Sequence, residues 1–422
     1  MSGISGTEVR GLHVVYVTAR TPWGNGEDFV ISEILELRAQ GHRVTVCPIR
    51  PGRDLWAGKE TFCAAADALK LPWLGARTLL YGLCTVIRQP LQTVRATLRL
   101  VLGSRSWGIA LKNLSVVPKG LAIAWKLRSI RPDHVHAHWA STSSSAAMIA
   151  AEVAGVPWSF TAHRWDIRED NCLQAKMASA AFARAISNKG ARQLREKASP
   201  GCACKVLCLH MGCRVETGLC LSGFSSKAEK ADYRRRKRVI ACPASLRAVK
   251  GHAVMLLALA RMKSEDTQFS CIMMGSGPLE AQLKEQTKDL GLEDVVEWRG
   301  KVAHDELLRM YSDNEVSIVV LPSVRTDDGA EEGIPVSLIE AMAAGLPVVS
   351  TNTGAISELL VEGAGIMVPQ ADAESLASAI TGLLENADLY GSQAVGCEQR
   401  ARKEFDLFAV ASTLAHYFAR CS

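Results

Sequence analysis

The sequence lacks the features that would place it across a membrane or outside the cell. None of its apolar stretches reaches the ~18 residues of a spanning helix without meeting a charged residue or a proline. Residues 1–17 have neither the apolar core nor the small-residue cleavage pattern of a secretory signal. The thirteen cysteines are odd in number and scattered, which favours reduced thiols over a disulfide framework. We therefore expect a cytoplasmic protein.

Acidic residues are missing from one long segment. Between Ala68 and Pro132 there is no Asp or Glu, whereas eleven lysines and arginines occur. The whole chain has 49 basic and 43 acidic residues, a net charge of +6; without this segment 38 basic and 43 acidic residues remain, a net charge of −5. The small total excess argues against a nucleic-acid binder. The positive charge is concentrated in one place.

The same segment has an amphipathic helical pattern. Arg88, Arg95 and Arg99 project along one flank of an apolar stripe that consists of Leu91, Val94, Leu98, Val101 and Leu102. A basic amphipathic helix suits the surface of an anionic membrane, where each cation contributes about 1 kcal/mol. The alternative is a set of core helices with solvated cationic faces.

Length and periodicity predict two α/β domains. A chain of 422 residues exceeds the roughly 250–300 residues at which a single core stops growing. Short apolar runs alternate with helix-period segments, as in parallel βα units. Two doubly wound domains would face each other across a cleft that binds ligands beyond the strand ends. The predicted boundaries are 1–212 for the first domain, 213–238 for a linker, 239–400 for the second domain and 401–422 for a terminal helix that packs back on the first domain.

A pair of glutamates marks the strongest candidate site. Glu332 precedes a helix predicted from about Val336 to Ala344, and Glu340 lies within it. Carboxylates accept hydrogen bonds from hydroxyl groups, and a helix amino terminus attracts phosphate or sugar hydroxyls. Acids at an ordinary helix start are the alternative interpretation.

Two cations follow the first strand of the second domain. Arg247 and Lys250 lie three residues apart in a loop that leads into a helix. An arginine fork and a mobile lysine can converge on one anion together with helix amides. Solvated surface cations are the alternative.

Histidines and glycines supply further candidates in the first domain. His163 follows the strand Trp158–Thr161 and can contact a substrate hydroxyl, although a structural histidine is the alternative. His134, His136 and His138 alternate along another strand, expected at an edge near the cleft. The glycines after the first strand are Gly24 and Gly26, which need no ligand to explain them.

No motif indicates a metal. The sequence has no Asp-x-Asp pair to hold a divalent ion. The cysteines and histidine between Cys202 and Cys220 contain no C-x-x-C knuckle, and part of that stretch is predicted to be a buried strand. The run Met273–Pro278 lacks the third glycine of a dinucleotide fingerprint.

Several of these segments resemble glycosyltransferase family 4, particularly the bacterial exopolysaccharide members of the colanic acid and amylovoran type. The resemblance is closest in Ser323–Val336, Glu340–Met342, Gly345–Thr351 and Gly354–Glu358. Glu332 and Glu340 match the family's glutamate pair, Arg247 and Lys250 match its Arg-x-x-Lys clamp, and Gly275, Gly277 and Pro278 match its Gly-x-Gly-Pro element. In the first domain the matches are Pro132–Trp139 and Thr161–Asp166. Two features depart from the family: Asp28 stands where the family usually has a threonine, and residues 69–130 match none of its motifs.

The resemblance implies a GT-B fold of two Rossmann-like domains and a retaining transfer from a UDP- or GDP-sugar, with no cofactor or metal. Arg247 and Lys250 would stabilise the departing diphosphate, Glu332 would hold the donor sugar and His163 would contact it at the reacting centre. The implied substrate-binding residues are Gly24, Gly26, Asp166, Gly275, Gly333, Ile334, Pro335, Val336 and Glu340.

The acceptors of similar enzymes are commonly lipid-linked, which favours the membrane interpretation of the basic segment. We expect a peripheral enzyme at the inner face of the plasma membrane that acts on a growing, lipid-linked saccharide. Alternatives are a GT-B epimerase or phosphorylase, or a non-catalytic nucleotide-sugar-binding component of a polysaccharide assembly complex.

Overall fold

The computed structural model describes residues 11–22, 27–51, 67–214 and 223–421. The chain forms two compact units. The first comprises Met1–Gly212 together with Leu407–Ser422, and the second comprises Cys213–Asp406. None of the helices in the described ranges is long and apolar enough to cross a membrane.

Six parallel strands form the sheet of the first unit, in the order β2-β1-β3-β4-β5-β6. Successive residues of β1 point to opposite faces, so that Val15 and Val17 join one buried cluster while Val14 and Tyr16 join another. Both faces of the sheet are therefore covered, as a parallel sheet requires. The strands are β1 His13–Thr18, β2 Arg43–Pro48, β3 His134–His138, β4 Trp158–Ala162, β5 Phe182–Ala185 and β6 Val206–Cys208.

The helices of the first unit include four in the acid-free segment. Some begin at hydroxyl caps: the Ser106 side chain accepts from the N–H of Ile109, and the Ser187 side chain accepts from the N–H of Gly190. The helices are α1 Asp28–Ala39, α2 Ala76–Arg88, α3 Pro90–Leu102, α4 Trp107–Leu114, α5 Val117–Ile130, α6 Thr142–Ala154, α7 Arg164–Glu169, α8 Leu173–Ser179 and α9 Asn188–Lys197.

A second sheet of six parallel strands forms the centre of the second unit, in the order β12-β11-β10-β7-β8-β9. Ile240 and Cys242 join one buried cluster and Ala241 joins another, so this sheet is also covered on both faces. The predicted α/β class with two parallel sheets is confirmed. The strands are β7 Val239–Pro243, β8 Ser270–Met274, β9 Val296–Gly300, β10 Ile318–Leu321, β11 Val348–Thr351 and β12 Ile366–Val368.

The helices of the second unit begin before its first strand. The side chains of Ser226, Asp372 and Asn386 cap three of them. The helices are α10 Lys227–Lys237, α11 His252–Ser264, α12 Glu280–Asp289, α13 His304–Ser312, α14 Val336–Ala343, α15 Ala373–Glu385 and α16 Ala387–Glu404.

The stretch predicted to be a linker contains helix α10. Arg234, in the basic run of this helix, is 2% exposed and donates to the carbonyls of Tyr311 and Ala344 near the ends of α13 and α14. Helix carboxyl ends attract cations because their last carbonyls lack partners within the helix. Part of the basic run therefore belongs to the packing of the second unit.

Helix α17, Leu407–Cys421, belongs to the first unit. It packs against α1, and the ring of Phe418 lies 4.9 Å from that of His134 and 6.3 Å from that of Tyr16. Six residues of the predicted terminal segment, 401–406, belong to the second unit instead.

Candidate active site

The loops that follow β7 and β8 lie directly against each other. The N–H of Ala244 donates to the carbonyl of Met274 at 2.8 Å. A Cβ atom on Gly275 would lie 1.9 Å from the Ala244 oxygen, and one on Gly277 would lie 2.4 Å from the Leu246 oxygen. Only glycine fits at such distances, so Gly275 and Gly277 let these two strand ends meet.

The Arg-x-x-Lys pair lies at the carboxyl end of β7. Lys250 ends a short turn, Ala248–Lys250, and is followed by Gly251 in the left-handed region at φ +69°. A Cβ atom on Gly251 would lie 1.8 Å from the carbonyl oxygen of Pro322, directly after β10. Arg247 is exposed and Lys250 is half-buried. The close backbone contact fixes Lys250 beside the end of β10.

Lys250 contacts the first glutamate of the pair. Its Nζ atom lies 2.5 Å from Glu332 Oε2, and the two side chains are 19% and 17% exposed. The Glu332 backbone is held from the other side, because a Cβ atom on Gly354 would lie 1.8 Å from its carbonyl oxygen and the N–H of Ala355 donates to that oxygen. The structure thus brings together residues that follow β7, β10 and β11.

The backbone after Glu332 borders open space. A Cβ atom on Gly333 would meet no heavy atom of the described residues within 4 Å, and the Gly333 N–H donates to Glu332 Oε1 at 3.2 Å. Pro335 stands at the N-cap of α14, and its side chain caps none of the helix N–H groups. The segment that includes Ile334 and Val336 therefore presents a helix amino terminus with its partial positive charge.

The second glutamate has a different partner. Glu340 Oε1 lies 2.7 Å from Nε2 of His304, with side chains 12% and 37% exposed respectively. His304 begins α13 and was not predicted as a site residue, because no motif surrounds it and its contact depends on the packing of α13 beside α14. Each carboxylate of the pair thus contacts one basic side chain.

In the first unit, His163 follows β4 and is 8% exposed. Its Nε2 atom lies 2.8 Å from Nε2 of His138, at the end of β3. Asp166, predicted to bind substrate, is 4% exposed, and its Oδ2 accepts from the N–H groups of His163 and Ala140 at 3.0 Å each. Asp166 therefore ties the loop after β3 to the loop after β4.

Trp139 adopts an unusual backbone conformation beside His163. Its φ of +80° lies in the left-handed region, which costs a residue other than glycine about 1–3 kcal/mol. Its ring lies 4.2 Å from the His163 ring, and its indole N–H donates to Glu27 Oε1 at 2.5 Å. Glu27 was missed by the sequence reasoning, and the neighbouring candidates Gly24 and Gly26 lie outside the described residues.

Burial controls the protonation of these side chains of the first unit. It lowers the pKa of His138 to about 3 and holds the pKa of His163 well below 6.5, so both imidazoles are neutral at pH 7. It also raises the pKa of Asp166 to about 7 and lowers the pKa of Lys176 to about 7. The Lys176 ammonium, also missed by sequence reasoning, donates to the carbonyl of Ala140 at 2.9 Å.

The histidines of β3 are interior residues, and their expected position at a strand edge is wrong. β3 lies between β1 and β4, and all three side chains are buried. Ser159 Oγ lies 2.8 Å from both His134 Nε2 and His136 Nδ1, and His136 Nε2 lies 2.9 Å from Thr161 Oγ1. His134 and His136 therefore form a hydrogen-bonded ladder with the hydroxyls of β4.

Known families match both units. Residues 9–195 match the Glycosyl transferase 4-like domain, and residues 225–404 match Glycosyl transferases group 1. The putative colanic acid biosynthesis glycosyltransferase WcaL of Salmonella typhimurium is 36% identical over 175 residues, and the amylovoran biosynthesis glycosyltransferase AmsK of Erwinia amylovora is 38% identical over 174. Each alignment spans 40% of this chain and 42% of the relative's length.

Solved structures resemble the chain over nearly its whole length. Anabaena HepE in complex with UDP-glucose superposes with a TM-score of 0.67 at 16% identity, covering 97% of this chain and 100% of that chain. The sucrose-phosphate synthase of Thermosynechococcus elongatus has a TM-score of 0.68 at 15% identity, covering 97% and 98%.

The two Rossmann-like units define the GT-B class of glycosyltransferase folds, as predicted. Within that class, the chain belongs to the glycosyltransferases that combine a 4-like domain with a group 1 domain. Its resemblance to the exopolysaccharide branch is confirmed by WcaL and AmsK.

Proposed function

We propose that this chain is a retaining, metal-independent family 4 hexosyltransferase. It moves a sugar from a UDP- or GDP-sugar to a growing, lipid-linked polysaccharide or oligosaccharide, and it works as a peripheral enzyme at the inner face of the plasma membrane. The names of WcaL and AmsK support a role in exopolysaccharide biosynthesis. A mycobacterial relative, 28% identical over 43% of its length, is named as a GDP-mannose-dependent mannosyltransferase that acts on a phosphatidylinositol mannoside.

The contact between Lys250 and Glu332 carries the proposal. A departing nucleoside diphosphate needs cations, and a donor sugar needs hydrogen-bond acceptors for its hydroxyls. The ammonium has three N–H donors, so Lys250 can hold Glu332 and an anion together, with Arg247 exposed nearby in the same loop. The open backbone at Gly333 leaves room for the ligand.

Each further residue has a proposed role. Arg247 and Lys250 stabilise the negative charge that grows on the leaving phosphate, the kind of interaction that is usually the largest catalytic contribution. Glu340 accepts from the nucleotide ribose, and backbone N–H groups of Gly333, Ile334 and Val336 bind the sugar and phosphates.

His163 has its proposed role as a neutral imidazole. Burial holds its pKa well below the working pH, so it faces the donor sugar as a neutral ring and not as a cation. In the proposed transfer, the departing phosphate takes the acceptor proton, and Arg247 and Lys250 supply the positive charge in place of a metal.

Two substitutions test the assignment. We expect Lys250→Ala and Glu332→Gln each to lower sugar transfer on the order of 100-fold, because each removes a group that contacts the charge or sugar of the transition state. The measurement is nucleotide release from a panel of UDP-, GDP- and ADP-sugars with lipid-linked acceptors. Lys284→Ala is the matched control, since Lys284 is an exposed lysine of α12 that also pairs with a glutamate, Glu280.

The same panel separates the alternatives. A donor sugar that binds raises the midpoint of thermal unfolding in proportion to the logarithm of its concentration. Stabilisation without nucleotide release identifies a binding protein, and release of free sugar without an acceptor favours an epimerase. Near-normal transfer by the Lys250→Ala variant contradicts the proposed catalytic role.

A further inference from the structure

Three consecutive helices of the first unit turn large apolar side chains toward solvent. Helix α2 contacts α3, and α3 contacts α4. The six most exposed apolar residues of these helices, here called the apolar face, are between 57% and 86% exposed: Leu83, Ile87, Leu91, Leu102, Trp107 and Leu111. Single exposed leucines are ordinary, but a group of this size on adjacent helices marks an interaction surface.

These helices reverse the usual pattern of a water-soluble helix. Their inward sides consist largely of small or polar residues, which are Thr78, Gly82 and Thr85 on α2 and Thr93 and Ala96 on α3, beside the buried Leu100 of α3. Thr85 Oγ1 donates to the carbonyl of Leu121 on α5 at 3.0 Å. A soluble helix buries its leucines and exposes its threonines. The core of the first unit therefore does not account for the positions of the exposed leucines.

Exposed arginines share α2 and α3 with the apolar face. Arg77, Arg88 and Arg95 are exposed, and none contacts an acidic side chain among the described residues. Several of the eleven cations counted in the sequence have other partners. Arg99 pairs with Glu152 at 2.6 Å, Lys112 with Glu169 at 2.9 Å and Arg105 with Asp170 at 3.8 Å. Lys119 is fully buried and donates to the Leu71 carbonyl. Arg99 is therefore a packing residue, contrary to the expectation that it projects toward a membrane.

We propose that the apolar face lies on the surface of an anionic lipid bilayer. The helices lie in the plane of the interface, with the apolar side chains at the acyl boundary and the arginines among the headgroups. Trp107, 86% exposed, suits the interface because tryptophan partitions there. This inference deepens the membrane partner of the proposed function and rests on it for the lipid-linked acceptor.

A second copy of the chain is a poorer occupant. A two-fold dimer places the same patch of both copies together. Arg77, Arg88 and Arg95 would then face the same cations of the other copy, with no acid between residues 68 and 132 to neutralise them. A bilayer that contains anionic lipid supplies the missing negative charge.

Flotation of the full chain with vesicles tests the charges. The anionic vesicles contain roughly three molecules of phosphatidylglycerol in every ten lipids, and the rest is phosphatidylcholine. We expect binding to them to be about tenfold or more above binding to vesicles of phosphatidylcholine alone, and we expect high salt to weaken it. Arg88→Glu with Arg95→Glu should reduce binding at least about 30-fold. Arg192→Glu with Lys403→Glu makes the same change in net charge at two exposed cations elsewhere and should bind as the unaltered chain does.

A second pair of variants tests the apolar side chains. Leu91→Gln with Leu102→Gln should reduce vesicle binding about tenfold or more while the midpoint of thermal unfolding stays unchanged, because both residues are about 80% exposed. Leu257→Gln with Val395→Gln changes exposed apolar residues of the second unit and should leave binding intact.

Three outcomes overturn the inference. The first is that the unaltered chain does not bind anionic vesicles, and the second is that the double variant at Arg88 and Arg95 binds as well as its control. The third is that the chain forms a concentration-dependent dimer, which the double variant at Leu91 and Leu102 dissociates. Stabilisation by a UDP- or GDP-sugar is measured on every variant without vesicles. If donor binding persists while vesicle binding is absent, the membrane inference fails and the proposed transfer of sugar does not.

Discussion

At the scale of single residues, a hydrogen bond joins Nε2 of His163 to Nε2 of His138. Both rings are neutral, so each carries one N–H and only one of the two Nε2 atoms donates. The His163 side chain also accepts from the backbone N–H of Asp166 at the start of α7. Since Nε2 faces His138, the accepting atom is Nδ1. The proton of His163 therefore lies on Nε2, and His138 accepts it. His138 is thus a positioning residue that fixes the tautomer of His163.

His138→Phe removes that acceptor. We expect kcat for nucleotide release to fall about tenfold, the equivalent of one hydrogen bond, while KM for the donor changes little because donor-binding groups remain. His138→Gln restores an accepting oxygen and should recover part of kcat. His134→Gln, on the same strand, is the control. Equal losses in all three variants would mean that the effect is only structural.

Sequence reasoning identified candidate residues more readily than the contacts that those residues make. Lys250 and Glu332 belong to recognisable local motifs, and the structure brings them into contact. His304 was missed because its contact with Glu340 depends on the packing of two helices. The inward orientation of Asp166 depends on burial, which a motif does not encode.

At the scale of elements, glycine contacts hold the strand ends together. Gly354 combines a φ of +63° with a Cβ position 1.8 Å from the Glu332 oxygen, whereas Gly291 has a φ of +62° and open space. The left-handed conformation costs alanine about 1–2 kcal/mol at either position. At Gly354 the clash of the new Cβ atom with the Glu332 oxygen lowers the free energy of unfolding by roughly a further 1–3 kcal/mol.

We therefore expect Gly354→Ala to lower the urea midpoint of the second unit clearly more than Gly291→Ala does. Because the clash displaces Glu332, the Gly354 variant should also bind donor sugars more weakly. Equal midpoints for the two variants would argue against a tight contact between the loops after β10 and β11.

The helices of the acid-free segment mark the limit of sequence reasoning about elements. The apolar stripe of α3 was recognised from its spacing. Its orientation was not, because a helix with leucines on one side and Thr93 and Ala96 on another can bury either side. The choice depends on α6, against which the inward side of α3 packs.

At the scale of the whole molecule, buried histidines set the response to acid. Burial lowers the pKa of His134 and His138 to about 3 and that of His136 and His163 well below 6.5. Between pH 6.5 and 3 the unfolded chain binds protons that the folded chain does not, so these groups lose stability as the pH falls. Asp166 opposes them, because its pKa of about 7 makes the folded chain bind a proton that the unfolded carboxyl releases.

The four histidines together change the free energy of unfolding more than the single carboxyl does. The first unit should therefore unfold at progressively lower temperature as the pH falls from 6.5 to 4. Thermal unfolding followed at half-unit steps of pH measures this. His134→Gln should flatten the slope, since it removes one of the four groups. An unfolding temperature that rises on acidification would contradict the neutral histidine ladder.

The division into units was largely predictable, and its details were not. The change from the first strand series to the second is visible near residue 213. The assignment of α10 to the second unit depends on the burial of Arg234, which a highly basic composition conceals.

The position of α17 has a consequence for synthesis. The apolar surfaces of Tyr16 and α1 are made early in translation, yet Phe418, which covers them, is made only after all of the second unit. Until then the part of this sheet face and of α1 that α17 covers remains open on the ribosome. The first half of the molecule to be translated is therefore the last to complete its core, and its nascent form must stay soluble with an open hydrophobic side for the whole interval.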